Sequence, residues 1–138
     1  MLVTAACARR QRGFTLIEIL VTLLIVSSGL LGFAALLNKS IVSNRHAYLV
    51  SQATMLAYDL TERMRANRAG ALGGVYTLAS REAASHPDAR DWVEALVDAL
   101  PDGDAAVSTA PSGDGLAVTI TIKWVDGQRQ SFTTQTTI

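Results

Sequence analysis

The sequence predicts an α+β fold in which a long N-terminal helix packs on a small antiparallel sheet of about three strands, with a short helix between them. Three observations lead there. Residues 14–37 read FTLIEILVTLLIVSSGLLGFAALL, a largely apolar run whose only charge is Glu18. From Asn38 to Asn67 there is neither proline nor glycine, and apolar residues recur at helical steps. The C-terminal third changes period, alternating apolar and polar residues from Leu116 to Trp124 as a half-buried strand does.

The first element is the apolar run. As a helix it reaches roughly 36 Å, enough to cross a hydrocarbon core of about 30 Å. A carboxylate inside such a span costs free energy, so Glu18 needs a partner. Arg9, Arg10 and Arg12 form a basic flank just before the run, which predicts that the N-terminus stays cytoplasmic and that everything after Leu37 lies outside. A secretory signal would place small residues and a cleavage site after its apolar core, and none follows Leu37. The small residue here is Gly13, before the run. Cutting after Gly13 removes the basic leader, keeps the helix and leaves a free amine on Phe14, four residues from Glu18. That amine is the candidate partner.

The segment Gly13-Phe14-Thr15-Leu16-Ile17-Glu18 resembles the class III signal of type IV pilins and pseudopilins. The resemblance implies that prepilin peptidase cuts after Gly13 and N-methylates Phe14. It also implies that Glu18 pairs with a Phe14-type amine and sets register during fibre assembly. The expected organisation is a leader over 1–13, a transmembrane and assembly helix over 14–37, and a periplasmic domain over 38–138 that includes the second half of the long helix. The expected location is the inner membrane, with the N-terminus cytoplasmic, and later an extracellular pilus. A plain membrane anchor is the alternative, and it predicts no cleavage.

Composition fits one small domain on a membrane helix. Of 138 residues, 24 lie in the apolar run, and about 100 follow it, near the usual size of a single domain. Formal net charge is zero, but without the three leader arginines nine basic residues face twelve acidic ones, a balance of −3 that argues against nucleic acid as the main ligand. Cys7 is the single cysteine and falls in the leader. A processed chain therefore has no disulfide, unlike the many pilins that carry a C-terminal disulfide loop.

Val42, Leu49, Ala53, Leu56, Leu60 and Met64 define one face of the continuing helix. From Phe14 to about Arg68 the two pieces form a rod of roughly 80 Å. The alternative is a break near Ser27-Ser28-Gly29 or Gly32. Major pilins often have a proline in this stem, whereas the first proline here is Pro87. Gly70-Ala71-Leu72-Gly73-Gly74 is expected to end the rod, with Arg65 and Arg68 in its last turn. His86-Pro87-Asp88 then reads as a helix start with Asp88 as N-cap, and Trp92, Val93, Leu96, Val97 and Leu100 form an apolar stripe before Pro101. Trp92 is read as core rather than as a binding residue.

A first strand is expected over Ala105 to Ala110, followed by the turn Pro111-Ser112-Gly113-Asp114-Gly115. Leu116, Val118, Ile120, Ile122 and Trp124 face the core of the next strand, Asp126-Gly127 makes a hairpin, and Phe132, Thr134, Thr136 and Ile138 continue the alternation.

Beyond the signal, residues 51–67 (SQATMLAYDLTERMRAN), Asp91-Trp92 with Leu96 and Leu100-Pro101, and the Val118 to Trp124 strand resemble the minor pilins described as type IV pilus modification protein PilV. That resemblance implies a low-abundance subunit that helps start pilus assembly. Its implied partners are prepilin peptidase, other minor and major pilins, the inner-membrane assembly platform and a tip adhesin, with membrane lipid before assembly. Asp59, Glu62, Arg63 and Arg65 are either subunit contacts or a solvated face with local ion pairs. A minor pseudopilin of a type II secretion system is the alternative function. No enzyme is expected: His46 and His86 are far apart in sequence, no catalytic or phosphate-loop spacing occurs, and no cofactor is implied. Asp102, Asp104 and Asp114 are weak calcium candidates, weighed against ordinary turn roles, as some pseudopilins bind this ion.

Overall fold

A computed structural model describes residues 13–113 and 115–138. Arg9, Arg10, Arg12, Cys7 and Asp114 lie outside the described residues. The chain divides into two compact units, Met1–Ile41 and Val42–Ile138. Helix α1, Leu16–Ala66, runs through the boundary.

In the first unit every described residue is exposed. The best 18-residue window of α1 has a mean hydropathy of 2.4 and none of it is buried by protein, so its surroundings must come from lipid or from other chains. The hydroxyls within it are satisfied locally. Thr22 Oγ1 donates to the Glu18 carbonyl at 2.7 Å, Ser27 Oγ to Leu23 at 2.6 Å and Ser28 Oγ to Ile25 at 2.9 Å. The helix continues through Ser27, Ser28, Gly29 and Gly32 without a break.

The second unit is the α+β domain. Its three strands, β1 (Asp104–Ser112), β2 (Gly115–Asp126) and β3 (Gln128–Thr137), form an antiparallel meander in the order β1-β2-β3. Leu116, Val118, Ile120, Ile122 and Trp124 are all buried, as the alternation predicts, and with Leu49, Ala53, Leu60 and Met64 of α1 they make one core. Gly127 turns the second hairpin at φ +71°, a backbone conformation that glycine adopts without a Cβ clash.

The face of α1 is shifted from the expected one. Ala57 and Thr61 are buried, Leu56 is half-buried and Val42 is exposed, because the sheet covers only the part of the helix from Leu49 onward. Thr61 stays satisfied by donating to the Ala57 carbonyl at 2.8 Å.

The long helix also ends earlier than the glycines suggest. Asn67 breaks it, and a short helix α2, Arg68–Leu72, follows; Arg68 therefore opens the second helix rather than closing the first. The Asn67 side chain accepts from the Gly70 amide at 3.1 Å and caps α2. A Cβ on Gly70 would come within 2.5 Å of that side chain, so this glycine serves the cap instead of terminating the rod.

Helix α3 spans Pro87–Ala99. Its N-cap is His86, with Pro87 in the first turn, and not Asp88 as the sequence suggests. Trp92 is fully buried and its Nε1 donates to the Leu56 carbonyl of α1 at 2.9 Å, which fixes it as a core residue. Val97 falls off the buried stripe and is 43% exposed, while Ala89 takes its place. The first strand runs longer than expected, through Pro111 to Ser112. Leu116 exchanges both backbone hydrogen bonds with Ile138, so its pairing with Pro111 needs no amide from the proline.

Candidate functional site

At the N-terminal end, Gly13 and Phe14 precede the first turn of α1 and are exposed. Thr15 caps that turn. Its carbonyl accepts from the Glu18 and Ile19 amides at 3.0 and 3.2 Å, and its Oγ1 approaches the Glu18 amide at 3.3 Å. Glu18 is the acid of the first turn, placed where the positive end of the helix dipole favours a carboxylate. The Thr15-x-x-Glu18 spacing is a capping-box signal that sequence reasoning missed. It gives Glu18 a local role and holds it one turn from the Gly13–Phe14 bond. The Gly13–Phe14 bond lies outside regular structure, and both residues are exposed. An amine created on Phe14 would sit at the same helix end as Glu18.

The residues weighed as subunit contacts divide. Arg63 is structural: its Nε meets Asp59 at 2.9 Å and its Nη1 meets Asp88 of α3 at 2.6 Å. Tyr76, fully buried, donates its hydroxyl to the other oxygen of Asp88 and receives a bond from Asn67 Nδ2 at 3.3 Å. This cluster ties the end of α1 to the start of α3, which explains why Asp88 does not cap. Arg65 and Glu62 form an exposed local pair at 2.5 Å.

The Tyr76 hydrogen bond, with the Arg63 guanidinium beside it, holds the Asp88 carboxyl below the usual carboxylate range. Burial, reinforced by Asp88, raises the Tyr76 phenol. A depressed carboxyl stabilises the fold above its unfolded pKa, near 3.8, and loses that contribution as pH falls through the lower folded value. We expect urea midpoints to fall as pH drops below about 4, and Asp88→Asn to flatten that limb while lowering stability at pH 7 by about 1–3 kcal/mol. An unchanged acid limb in the variant would dissociate Asp88 from it.

The calcium candidates are placed as follows. Asp104 Oδ1 accepts from the Arg81 and Ala105 amides at 2.8 and 2.9 Å. Asp102 lies 3.6 Å from Arg81 Nη1. Both line a cleft of about 270 Å³ that Lys123 and Arg129 also line. Among the described residues no group of three or more histidines, cysteines or acids is arranged to hold a metal. His46 lies 4.0 Å from Asp126, whose other oxygen meets Arg45 at 3.1 Å; His86 caps α3.

The prokaryotic N-terminal methylation motif matches residues 8–34. The matched segment contains Gly13, Phe14, Glu18 and all but the last three residues of the apolar run, so the chain carries a prepilin-like signal of the kind that prepilin peptidase processes. This signal belongs to structural subunits rather than enzymes, and it supports a type IV pilin or a pseudopilin. Together with the apolar helix it fits membrane anchoring. No curated protein and no solved structure matches the chain significantly.

Proposed function

We propose that this chain is a minor pilin of the type IV pilus, of the PilV kind, contributing to initiation of assembly and to the fibre tip in adhesion and motility. The carrying observation is the methylation motif over residues 8–34, with Gly13 immediately before an apolar helix that the protein leaves uncovered. Prepilin peptidase cuts after Gly13 and methylates Phe14. The helix first anchors the subunit in the inner membrane, with residues 38–138 periplasmic and Arg9, Arg10 and Arg12 on the cytoplasmic side. On assembly it exchanges lipid for neighbouring helices, those of other minor and major pilins delivered by the assembly platform, with a tip adhesin beyond. Glu18 sets the axial register by meeting the Phe14 amine of a neighbour.

A pseudopilin of a type II secretion system shares the signal and the helix. The residues after Leu37, which resemble minor pilins, favour the pilus reading. Co-expression with and without prepilin peptidase tests the processing step. The expected result is a chain beginning at N-methylated Phe14 only when the peptidase is present, read by intact mass and N-terminal sequencing. An uncut chain in both cases sinks the reading. Recovery of the mature chain in sheared pili, and its loss from them in an assembly-platform mutant, separates a pilus from a secretion system.

A further inference from the structure

The two edges of the sheet are not alike. Hydrogen-bond alternation, fixed by the Leu116–Ile138 pair, turns the backbone amides and carbonyls of Ala105, Val107, Thr109 and Pro111 away from β2 along the β1 edge. That edge is largely occupied. Ala105 gives its amide to Asp104 at 2.9 Å, Val107 exchanges both bonds with Leu78 at 2.8 and 3.0 Å, and Pro111 has no amide to give.

On β3 the same alternation turns Arg129, Ser131, Thr133, Gln135 and Thr137 outward. All five are exposed, and among the described residues no strand lies beyond them. The register with β2 is unbroken over the whole strand, and β3 has no proline, no bulge and a single charge. Natural edges are usually blunted by such devices, and here β1 has them while β3 does not. Alongside β3 runs a groove of about 170 Å³, with Ala57, Tyr58 and Thr61 of α1 on one wall and Phe132 and Thr134 of β3 on the other. Among the described residues, Arg65 is the only charged one lining it. Tyr58 is 69% exposed and stands ready to be covered.

We infer that the β3 edge accepts one extended strand from a non-identical partner, whose alternate side chains are small or β-branched where they enter the groove and whose flanks are neutral or acidic. The charge follows from Arg129, the cation on the edge itself, since Arg65 beside the groove is already paired with Glu62. A second copy of this chain does not fit. Its β1 edge is largely occupied, an in-register parallel β3-to-β3 pair sets Arg129 beside its own copy, and an antiparallel pair reverses the second α1 relative to the first, which two subunits anchored in one membrane cannot satisfy. That last step rests on the proposed function. Strand pairing therefore enters this subunit at one edge and is not passed on at the other.

The probe is an acetylated decapeptide of alternating valine and threonine with a glutamate at each end, added to the full mature chain in detergent micelles. Binding should slow amide exchange at Ser131, Thr133 and Gln135 while leaving β1 unchanged. Thr133→Pro spares the β2 ladder, since the Thr133 amide points outward, and should weaken binding by about tenfold or more. A peptide N-methylated at alternate amides gives the same test on the unaltered protein and should not bind. Absence of binding, binding without protection at these amides, equal binding by the N-methylated peptide, or concentration-dependent protection with no peptide each overturns the proposal. N-methylation of Phe14, measured on the same preparation, reports the proposed function separately.

Discussion

Glu18→Ala is expected to leave membrane insertion, cleavage after Gly13 and methylation intact, and to cut incorporation into pili by about a hundredfold or more. The magnitude comes from the partner. In a packed helical core, removing one member of a buried ion pair strands the other at a cost of about 3–5 kcal/mol, and each 1.4 kcal/mol is tenfold. The local role of Glu18 is too small to compete. Its bonds to Thr15 come from the backbone amide and survive the substitution, and the side chain's interaction with the helix dipole amounts to about 0.3–1 kcal/mol. Thr15→Ala is the control, since it loses the cap and keeps the acid. The comparison is made on sheared fibres against total membranes by immunoblot. Wild-type amounts of the Glu18→Ala chain in fibres would rule out the register role, and an equal deficit in Thr15→Ala would move the effect to helix capping.

Why Glu18 sits in the first turn and not deeper also follows from this comparison. One turn from Phe14, it would stand close to the amine that cleavage after Gly13 would create on its own chain. A carboxylate in mid-helix would find no charged side chain to meet, since Ile19 to Val26 offer none. The polar side chains that follow Glu18 in the apolar run are satisfied within this helix. Its hydroxyls at Thr22, Ser27 and Ser28 are turned back on the backbone and ask nothing of either lipid or protein.

The legible parts of this fold are those where one physical signal dominates. Alternation from Leu116 to Trp124 can be satisfied only by a strand with one buried face, and the absence of breakers between Asn38 and Ala66 leaves only a helix. The illegible parts depend on partners distant in sequence. Periodicity gives Val42 and Val97 the same standing as Leu60, but the sheet does not reach Val42 and α3 rolls Val97 to its rim. Asp88 has the residue type and position of a cap, yet Tyr76 and Arg63 offer its carboxylate stronger bonds than a backbone amide does. Tyr76 itself lies in a connecting segment with no period, so nothing in the sequence announces that it is fully buried. Asp104 reads as a turn acid, and only the strand register reveals that it occupies a sheet edge. At the N-terminus the signal was legible because spacing alone carries it, and the Thr15 cap was the part left unread.

Trp92→Ala tests how strongly the second unit depends on the α1–α3 junction. The ring is fully buried against a core that includes Leu60, Met64 and Leu96, and its Nε1 is the hydrogen bond that fastens α3 to the Leu56 carbonyl. Removing it leaves a cavity that neighbouring helices cannot fill without moving, for an expected loss of about 3–5 kcal/mol. A domain of this size has only about 5–15 kcal/mol in total, so the unfolding midpoint should fall by more than about 10 °C. Trp92→Phe separates the two contributions. It keeps most of the ring, gives up the donor, and should cost about 1–2 kcal/mol through the lost bond and a smaller void. The readout is circular dichroism on the full chain in micelles, at a wavelength where β3 and α3 both contribute. If Trp92→Ala unfolded within about 1 kcal/mol of the parent, α3 would be an ornament on the surface of α1 and not part of its core. The Arg63–Asp88–Tyr76 cluster would then have to hold that helix alone, through the bonds to Asp88 whose loss is put at about 1–3 kcal/mol.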